Sequence, residues 1–425
     1  MVDTGNTVAV EEGRVALESL RFGCIRLMEI ASSVLVRTLS TERKLDLSKQ
    51  IWALAQCADA LGRRLPGLRS SEDAVASTPG YVAFTDAICS LQNPDLEYAA
   101  LTHLAYPDLR DAVLTHRAQV PSAADELTVE CLEHVLERLD AVPTERQERP
   151  ACLGTLGDLL TGCGGVAGEG AGPPPERRPA LPEIPIRPGR DAALREAGPD
   201  ERASDGTRAS FLHESIFRVE LCAAEICAVL LAHHPEAPWG LRHDLAKQVR
   251  DEARHYELFA ERMRELGVSE GQYPIVFDVW DKFVMGRTLP ERLIIEQRIG
   301  EGIGLDGAVK AFRVLREEGD YKTLMIFDYI VADEITHVGN GNRWLRHLIG
   351  SDEGLERLDR EVRERLAAHG RPVDNRKAIN VNDRELAGFT DREIAELQRT
   401  WERERALAQA QKAGERRERE AAKGT

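Results

Sequence analysis

Apolar residues recur at spacings of three and four along most of the chain, which is the pattern of amphipathic α-helices. In the N-terminal part the pattern covers residues 17–39 and 45–65, and Thr41 is placed to begin the second of these helices. A later helix is predicted over residues 125–139, where acidic residues precede a stretch of the same period. The pattern therefore predicts an all-α protein.

The same period returns over residues 210–350 and predicts four more helices, at 210–233, 241–266, 290–318 and 321–349. Gly267 is suited to end the second helix, and Pro290 to occupy the first turn of the third. The long connection between these two helices contains Pro274 and Trp280. Such lengths and loops predict a four-helix bundle with one crossover connection.

Glycine and proline interrupt the helical pattern between these two regions. Residues 161–188 contain six glycines before a run of three prolines at 173–175, so we expect a flexible linker too poor in large apolar residues to pack. The predicted organisation has four parts: an N-terminal helical domain at 1–150, a Gly/Pro-rich linker at 151–209, the four-helix bundle at 210–350, and a charged helical C-terminal extension at 351–425. The N-terminal domain contains no Glu-x-x-His and is interpreted as a degenerate bundle.

Composition narrows the functional classes. The 425 residues carry 72 acidic and 56 basic side chains, a formal net charge of −16, which argues against a general nucleic-acid binder. The N-terminus lacks the pattern of a signal peptide, and no apolar stretch is long enough to span a bilayer. Eight cysteines without a C-x-x-C pair are interpreted as reduced thiols. We therefore expect a cytoplasmic protein with no membrane partner.

Two Glu-x-x-His motifs carry the candidate chemistry. They are Glu252 with His255 on the second predicted helix of the bundle, and Glu334 with His337 on the fourth. Residues three apart share a helix face, so each pair can bind one ion. Chance alone supplies about one such pair in a chain of this composition, so the motif needs further support.

The support comes from the two intervening helices, each of which carries a glutamate in an apolar sequence. Glu220 precedes Glu252 by 32 residues, and Glu301 precedes Glu334 by 33. A chain that ascends one helix and descends the next returns to the same height after such an interval. The predicted metal ligands are therefore Glu220, Glu252, His255, Glu301, Glu334 and His337.

Three more acids are predicted to lie in the second shell. Asp251 and Asp333 each precede a motif glutamate, and each could accept the second N–H of a metal-bound imidazole on its own or the facing helix. Glu225 lies about 140° around the helix from Glu220, so both cannot face one centre. A second-shell position, a helix-interface ion pair and a face toward the other domain remain open for Glu225.

The residues that carry a family resemblance span about half of the chain, from 182 to 397. This segment resembles an uncharacterised bacterial ferritin-like family, known as domain of unknown function 455. The matching residues are Glu220-Leu221 with Glu225, Asp251-Glu252-Ala253-Arg254-His255, Arg298 with Glu301 and Gly304-Leu305-Asp306, Gly319-Asp320, Asp333-Glu334-Ile335 with His337-Val338, and Asn382 with Arg384 and Ala387-Gly388-Phe389. The resemblance implies a ferritin-like bundle with metal ligands at the six positions above. Arg218 departs from the pattern, where histidine is expected.

Four carboxylates and two imidazoles suit two iron ions, with manganese, alone or mixed with iron, as the alternative and zinc as a further option. We expect an O2-activating di-iron oxidase or oxygenase that acts on a small organic substrate in specialised metabolism. The alternatives are a ferroxidase, iron-handling or peroxide-scavenging protein, a tRNA-modifying hydroxylase, and an interaction scaffold. The expected partners are O2, the substrate, an external electron donor and a second copy of the chain in a homodimer.

Gly300, Gly302 and Gly304 flank the predicted ligand Glu301. Two interpretations are equally open. The glycines leave room for O2, for substrate or for a local widening of the helix, or they allow close packing between helices.

Overall fold

The structure is a computed structural model, and it describes residues 9–143, 150–175, 181–198, 201–371, 373 and 378–423, with the side chains of 407–408 and 411–423 excepted. Over these residues the chain is helical, and its β structure is limited to two isolated bridges, Ser77 with Gly172 and Glu196 with Ile275. The predicted all-α class is confirmed. No helix in the described ranges is long and apolar enough to cross a membrane.

The N-terminal part contains seven α-helices in its described residues. They are α1 (Val10–Arg37), α2 (Thr41–Arg64), α3 (Pro79–Cys89), α4 (Pro94–Ala100), α5 (Tyr106–Gln119), α6 (Glu126–Leu139) and α7 (Gly154–Gly162), and a π-helical turn, Leu101–Ala105, joins α4 to α5. Ser40 caps α2 by accepting a hydrogen bond from the Arg43 backbone, so the predicted start at Thr41 is confirmed.

The C-terminal part continues with α8 (Arg208–Ser215), α9 (Leu221–His233), α10 (Trp239–Glu265), α11 (Asp278–Phe283), α12 (Leu289–Leu293), α13 (Gly302–Glu317), α14 (Tyr321–Ile349), α15 (Asp352–Ala368), α16 (Val381–Leu386) and α17 (Asp391–Lys423). π-Helical segments join α8 to α9 over Ile216–Glu220 and α12 to α13 over Ile294–Glu301. The predicted helix at 321–349 has these same bounds, and Gly267 follows α10 with a φ of 83°.

The chain divides into two compact units, whose boundaries cut α9 and α10 rather than following the predicted domain limits. The first unit is Met1–Arg195 with Ala223–Arg254, and the second is Glu196–Cys222 with His255–Thr425.

In the first unit, α1 packs along α2, α2 packs against α6, and α3 packs against α7. A buried ion pair joins the first turn of α10 to α1, since Arg242 donates to Glu29 over 2.7 Å. The indole of Trp239 donates to Asp59 on α2 over 3.2 Å. These contacts explain why the first half of α10 belongs to this unit.

In the second unit, α14 is the central helix of the packing, with α13, α15, α16 and the π-helical segment before α13 against it. A buried cluster of Leu305, Ala308, Val331, Val338, Ala387, Phe389 and Ile394 joins α13 and α14 to the segment around α16. Aromatic contacts continue on α10, where the rings of Phe259 and Phe327 lie 4.9 Å apart.

The structure describes residues 151–175 of the predicted Gly/Pro-rich linker at 151–209, and residues 154–162 form the helix α7, so this first part of the linker is folded. Leu153, Leu156 and Leu160 are buried, because their spacing puts them on one face of a short helical stretch that packs on α3. Val166 is 1 % exposed and packs against Gly23, where a Cβ atom would lie 2.7 Å from its side chain. Glycine content concealed a short folded element. Residues 176–180 and 199–200 of the expected linker, like residues 1–8 and 144–149 of the N-terminal domain, lie outside the described ranges.

We expect Leu156→Ala to lower the free energy of unfolding of the first unit by about 2–4 kcal/mol, since it removes buried methyl groups and leaves a cavity. Leu159 is the matched control, because it lies on the same helix with 41 % of its surface exposed, and its change to Ala is expected to cost less than about 1 kcal/mol. Urea unfolding of both variants measures the difference. Equal losses would contradict the packing of α7.

Candidate metal centre

Six acidic and imidazole side chains converge in the structure, and they are the six that the sequence predicts as ligands. One group consists of Glu220, Glu252, His255 and Glu334, and the other of Glu252, Glu301, Glu334 and His337. Within each group, one ligand atom from every residue lies within 4.8 Å of the others. In the described residues these two groups are the ones with such geometry. Metal binding itself stays a prediction.

The two groups share two residues, which gives the arrangement an internal symmetry. Glu252 and Glu334, the glutamates of the two Glu-x-x-His motifs, belong to both groups. Glu220 and His255 belong to the first group alone, and Glu301 and His337 to the second alone. Each group therefore offers one imidazole, one carboxylate of its own and two shared carboxylates.

Five of the six residues belong to the second unit. Glu252 lies on α10 one turn before His255, and the boundary between the units cuts this helix after Arg254. The position of Glu252 relative to His255 follows from the continuous helix, which puts residues three apart on one face. The same relation holds for Glu334 and His337 on α14.

Both single glutamates lie at the last residue of a π-helical segment. Glu220 ends Ile216–Glu220, and Glu301 ends Ile294–Glu301. A π-helical turn contains an additional residue and changes the direction of the side chains that follow, so such turns are common at functional sites. The widening at Glu301 was one of the sequence hypotheses. No glycine signals the corresponding turn at Glu220, and sequence reasoning missed it.

The two ring nitrogens of His255 have different surroundings. Nδ1 lies 3.5 Å from Glu220 Oε2 and 3.9 Å from Glu334 Oε1, so it faces the group of potential ligands. Nε2 lies 3.2 Å from Asp333 Oδ2. Asp333 can accept the Nε2 proton and hold Nδ1 in the deprotonated form that a metal needs. The structure thus places Asp333 against the histidine of the facing helix.

Asp251 and Glu225, the other two acids predicted to lie next to the metal ligands, contact basic side chains. Asp251 accepts hydrogen bonds from Lys247 and from Arg254, the latter over 3.3 Å. Glu225 is fully buried, 2.8 Å from Lys44 Nζ and 2.8 Å from Arg190 Nη2. Of the options that the sequence left open for Glu225, a buried ion pair describes these contacts within the first unit.

Lys44 is buried with this carboxylate, and burial lowers the pKa of the Lys44 ammonium to about 8, although Glu225 acts in the opposite direction. Burial thus disfavours the charged form of Lys44 even with the Glu225 carboxylate beside it. Four carboxylates in one place require compensation of the same kind.

The donor set fits two divalent cations. All six side chains are at most 7 % exposed, and four of them are carboxylates. Burial of four carboxylates is costly without counter-charge. Two divalent ions would neutralise them, and mixed carboxylate and imidazole donors suit iron or manganese.

One side of the predicted site is close to solvent. Gly304 is exposed, and a Cβ atom at this position would lie 3.7 Å from Glu334 Oε2. Gly300, one turn earlier on the same face, is also exposed. Because Gly304 has no side chain, Glu334 lies within a short distance of the surface.

Arg218, which occupies the position where the resemblance predicts histidine, makes an ion pair away from the potential ligands. Its guanidinium donates to both oxygens of Asp278, over 2.6 and 2.9 Å, and to Glu214. Burial alone would raise the pKa of Asp278, but Arg218 outweighs it and lowers that pKa to about 2. Arg218 therefore secures the π-helical turn of Glu220 to α11.

The family described as "Protein of unknown function (DUF455)" matches residues 165–395, which is more than half of the chain, and the chain belongs to this family. The chain is also 28% identical over 152 residues to an uncharacterized protein of Haemophilus influenzae. The match covers 36% of this chain and 52% of the Haemophilus protein, so the chain spans about half the length of that relative. No solved structure matches the chain.

The sharing of two glutamates predicts unequal effects of ligand removal. Glu252→Ala is expected to abolish tight binding at both positions, whereas Glu220→Ala should leave about one divalent ion per chain. Elemental analysis after anaerobic loading with Fe(II) measures the stoichiometry. Glu261→Ala is the matched control, because Glu261 is an exposed residue of α10. Equal occupancy in the three variants would contradict the shared arrangement.

Asp333→Asn keeps the shape of the side chain but removes the charge that faces His255 Nε2. We expect metal affinity to fall by a factor of about 10–100, because second-shell acceptors orient an imidazole and raise its basicity. Titration with Mn(II) monitored by electron paramagnetic resonance gives the affinity. Asp328→Asn, at an exposed position of α14, serves as the control. Unchanged affinity in Asp333→Asn would rule out this role.

Proposed function

We propose that the protein is an O2-dependent oxidase or oxygenase with a dinuclear iron centre, acting on a small organic substrate. The observation that carries the proposal is the pair of four-residue groups with two shared carboxylates. On this proposal the helices that contain Glu220, Glu252, Glu301 and Glu334 are the four helices of a ferritin-like bundle. The order of the ligands along these helices supports the assignment.

The residues that would hold the ions follow from the two groups. Glu220 and His255 would hold one ion, Glu301 and His337 would hold the other, and Glu252 and Glu334 would contribute to both. When bound in the reduced form, two iron ions supply the electrons for the activation of O2.

The protein's own groups have three tasks in this proposal. Asp333 holds the Nε2 proton of His255 and thereby fixes the orientation and the donor atom of that imidazole. The apolar surroundings of the six side chains exclude bulk water from the centre. The exposed face of Gly304, beside Glu334, gives a small molecule a short approach to the shared carboxylate.

Action on an organic substrate is favoured over iron storage by the organisation of the chain. The chain contains a separate N-terminal unit of helices, which iron storage does not require. The C-x-x-C pairs of a built-in rubredoxin-type electron carrier are absent from the sequence. Electrons would therefore come from a separate reductase or from the substrate.

The decisive experiment loads the protein anaerobically with Fe(II) and mixes it with O2 in a stopped-flow spectrometer. We expect about two iron ions per chain and a transient absorption band that decays faster with a suitable organic compound. Fewer than about one ion per chain, with no loss in Glu301→Ala or His337→Ala, would refute the proposal. Rapid turnover of Fe(II) alone with mineral formation would favour the iron-handling alternative, and turnover only with tRNA would favour the hydroxylase.

Two substitutions at one position test the approach to the site. Gly304→Ala adds a Cβ atom in ordinary contact with Glu334 and should leave iron exchange unchanged. Gly304→Phe covers the exposed face, so a small chelator should remove bound Fe(II) several-fold more slowly. Identical removal rates in the two variants would contradict access at Gly304.

A further inference from the structure

A segment near the C-terminus lies against the helices that carry Glu301 and His337. This segment, residues 380–394, contains α16 and the turn that leads into α17, and we call it the C-terminal clamp. It packs on α13 and α14, both of which belong to the same compact unit. Two of its contacts lie close to Glu301 in the sequence, one with Gly302 and one with Arg298.

Arg384 of the clamp binds the first turn of α13. Its Nη2 donates to the carbonyl oxygen of Gly302, the residue after Glu301, over 2.8 Å. The guanidinium also makes a bidentate pair with Asp306, over 3.0 and 2.7 Å, and is only 2 % exposed. A Cβ atom at position 302 would lie 3.0 Å from Arg384 Nη1, so Gly302 permits this close approach.

Arg298 makes the complementary contact from inside the π-helical segment, one turn before Glu301. Its guanidinium donates to Glu393 of the clamp over 2.7 Å, to Asp359 of α15 over 3.0 Å, and to Asn342 of α14. Burial alone would lower the pKa of Arg298, but Asp359 and Glu393 raise it, so the guanidinium stays charged.

The Phe389 ring lies close to both arginines. The ring centroid is 4.5 Å from the guanidinium carbon of Arg298 and 4.8 Å from that of Arg384. Both cations are thus within cation–π distance of one buried ring. The clamp itself is held by the Asn342 side chain, which donates to the Ala387 carbonyl oxygen over 2.8 Å.

The arginine contacts lie on both sides of Glu301 in the sequence. Arg298 lies three residues before it, and the Gly302 carbonyl directly after it. A π-helical turn is rare and intrinsically less favourable than an α-helical one, so external contacts must stabilise it. Planar arginine forks that bind in a bidentate manner restrict geometry more closely than a point charge does.

We propose that Arg298 and Arg384 are positioning residues for Glu301, and that the C-terminal clamp sets the geometry of the ion held by Glu301 and His337. The inference rests on the proposed metal centre. Glu220 ends the other π-helical segment, where the arginine contact comes from Arg218 within that segment and its partner is Asp278 on α11. Loss of the clamp should therefore weaken one ion and spare the other.

The test compares Arg384→Gln with the full-length wild-type protein in a Mn(II) titration. The wild type should bind two ions tightly. In the variant the affinity for one ion should fall by a factor of about 10–100, which is the usual effect of losing a residue that orients a metal ligand. The affinity for the other ion should stay unchanged. Arg384→Lys keeps the charge but loses the bidentate pair, so we expect an intermediate affinity.

Arg365→Gln is the matched control, since Arg365 makes a bidentate pair with Glu291 over 3.1 and 2.8 Å in the same unit. It should lower stability without changing either affinity. If Arg384→Gln does not fold, Phe389→Leu, which keeps apolar volume but removes the ring that both arginines contact, takes its place.

A second measurement needs no metal. Hydrogen exchange of the apoprotein should become at least about tenfold faster at residues 294–304 in Arg384→Gln, with residues 216–222 unchanged. If this variant binds both ions as tightly as the wild type and its hydrogen exchange is unchanged, the proposed role of the C-terminal clamp is wrong. Wild-type protein that binds no divalent ion would instead refute the metal centre, and the exchange comparison would then decide on the clamp alone.

Discussion

The structure depends on the burial of four carboxylates at one place. Glu220, Glu252, Glu301 and Glu334 have at most 7 % of their surface exposed and face two imidazoles. Such a concentration of negative charge opposes folding unless cations compensate it. The equal division into two groups, each with its own histidine, is the arrangement that two divalent ions would neutralise. The surrounding helices then hold a group of charged side chains in an apolar interior.

Two local departures from α-helical geometry adapt the helices to this centre. Glu220 and Glu301 each end a π-helical segment, whereas Glu252 and Glu334 lie in regular helices. The shared glutamates thus face the centre because they lie three residues before their histidines on a regular helix. The single glutamates each lie at the end of a widened turn. Arg384 binds the Gly302 carbonyl oxygen and Asp306, which follow Glu301 in the sequence, and on our proposal these contacts support the widened turn.

Sequence reasoning predicted the six candidate residues because two elementary rules were sufficient. Residues three apart share a helix face, and residues about 32 apart on antiparallel neighbours return to one height. The sequence assigned residues 151–175 to a linker, whereas Leu153, Leu156 and Leu160 are buried on one face of a short helical stretch. Sequence reasoning also missed the widened turn at Glu220, because no residue type marks such a turn.

The sequence by itself determined the all-α class, the membership of the site and the heights of its residues, since these depend on helical period and chain length. The tertiary structure decided the partners. Asp333 faces the imidazole of the other helix, Glu225 pairs with Lys44 and Arg190, and Glu252 and Glu334 are shared by both groups. Helical period gives the face of a residue but not the rotation of that helix against its neighbour. That rotation follows from side-chain packing over the whole unit, which local spacing does not contain.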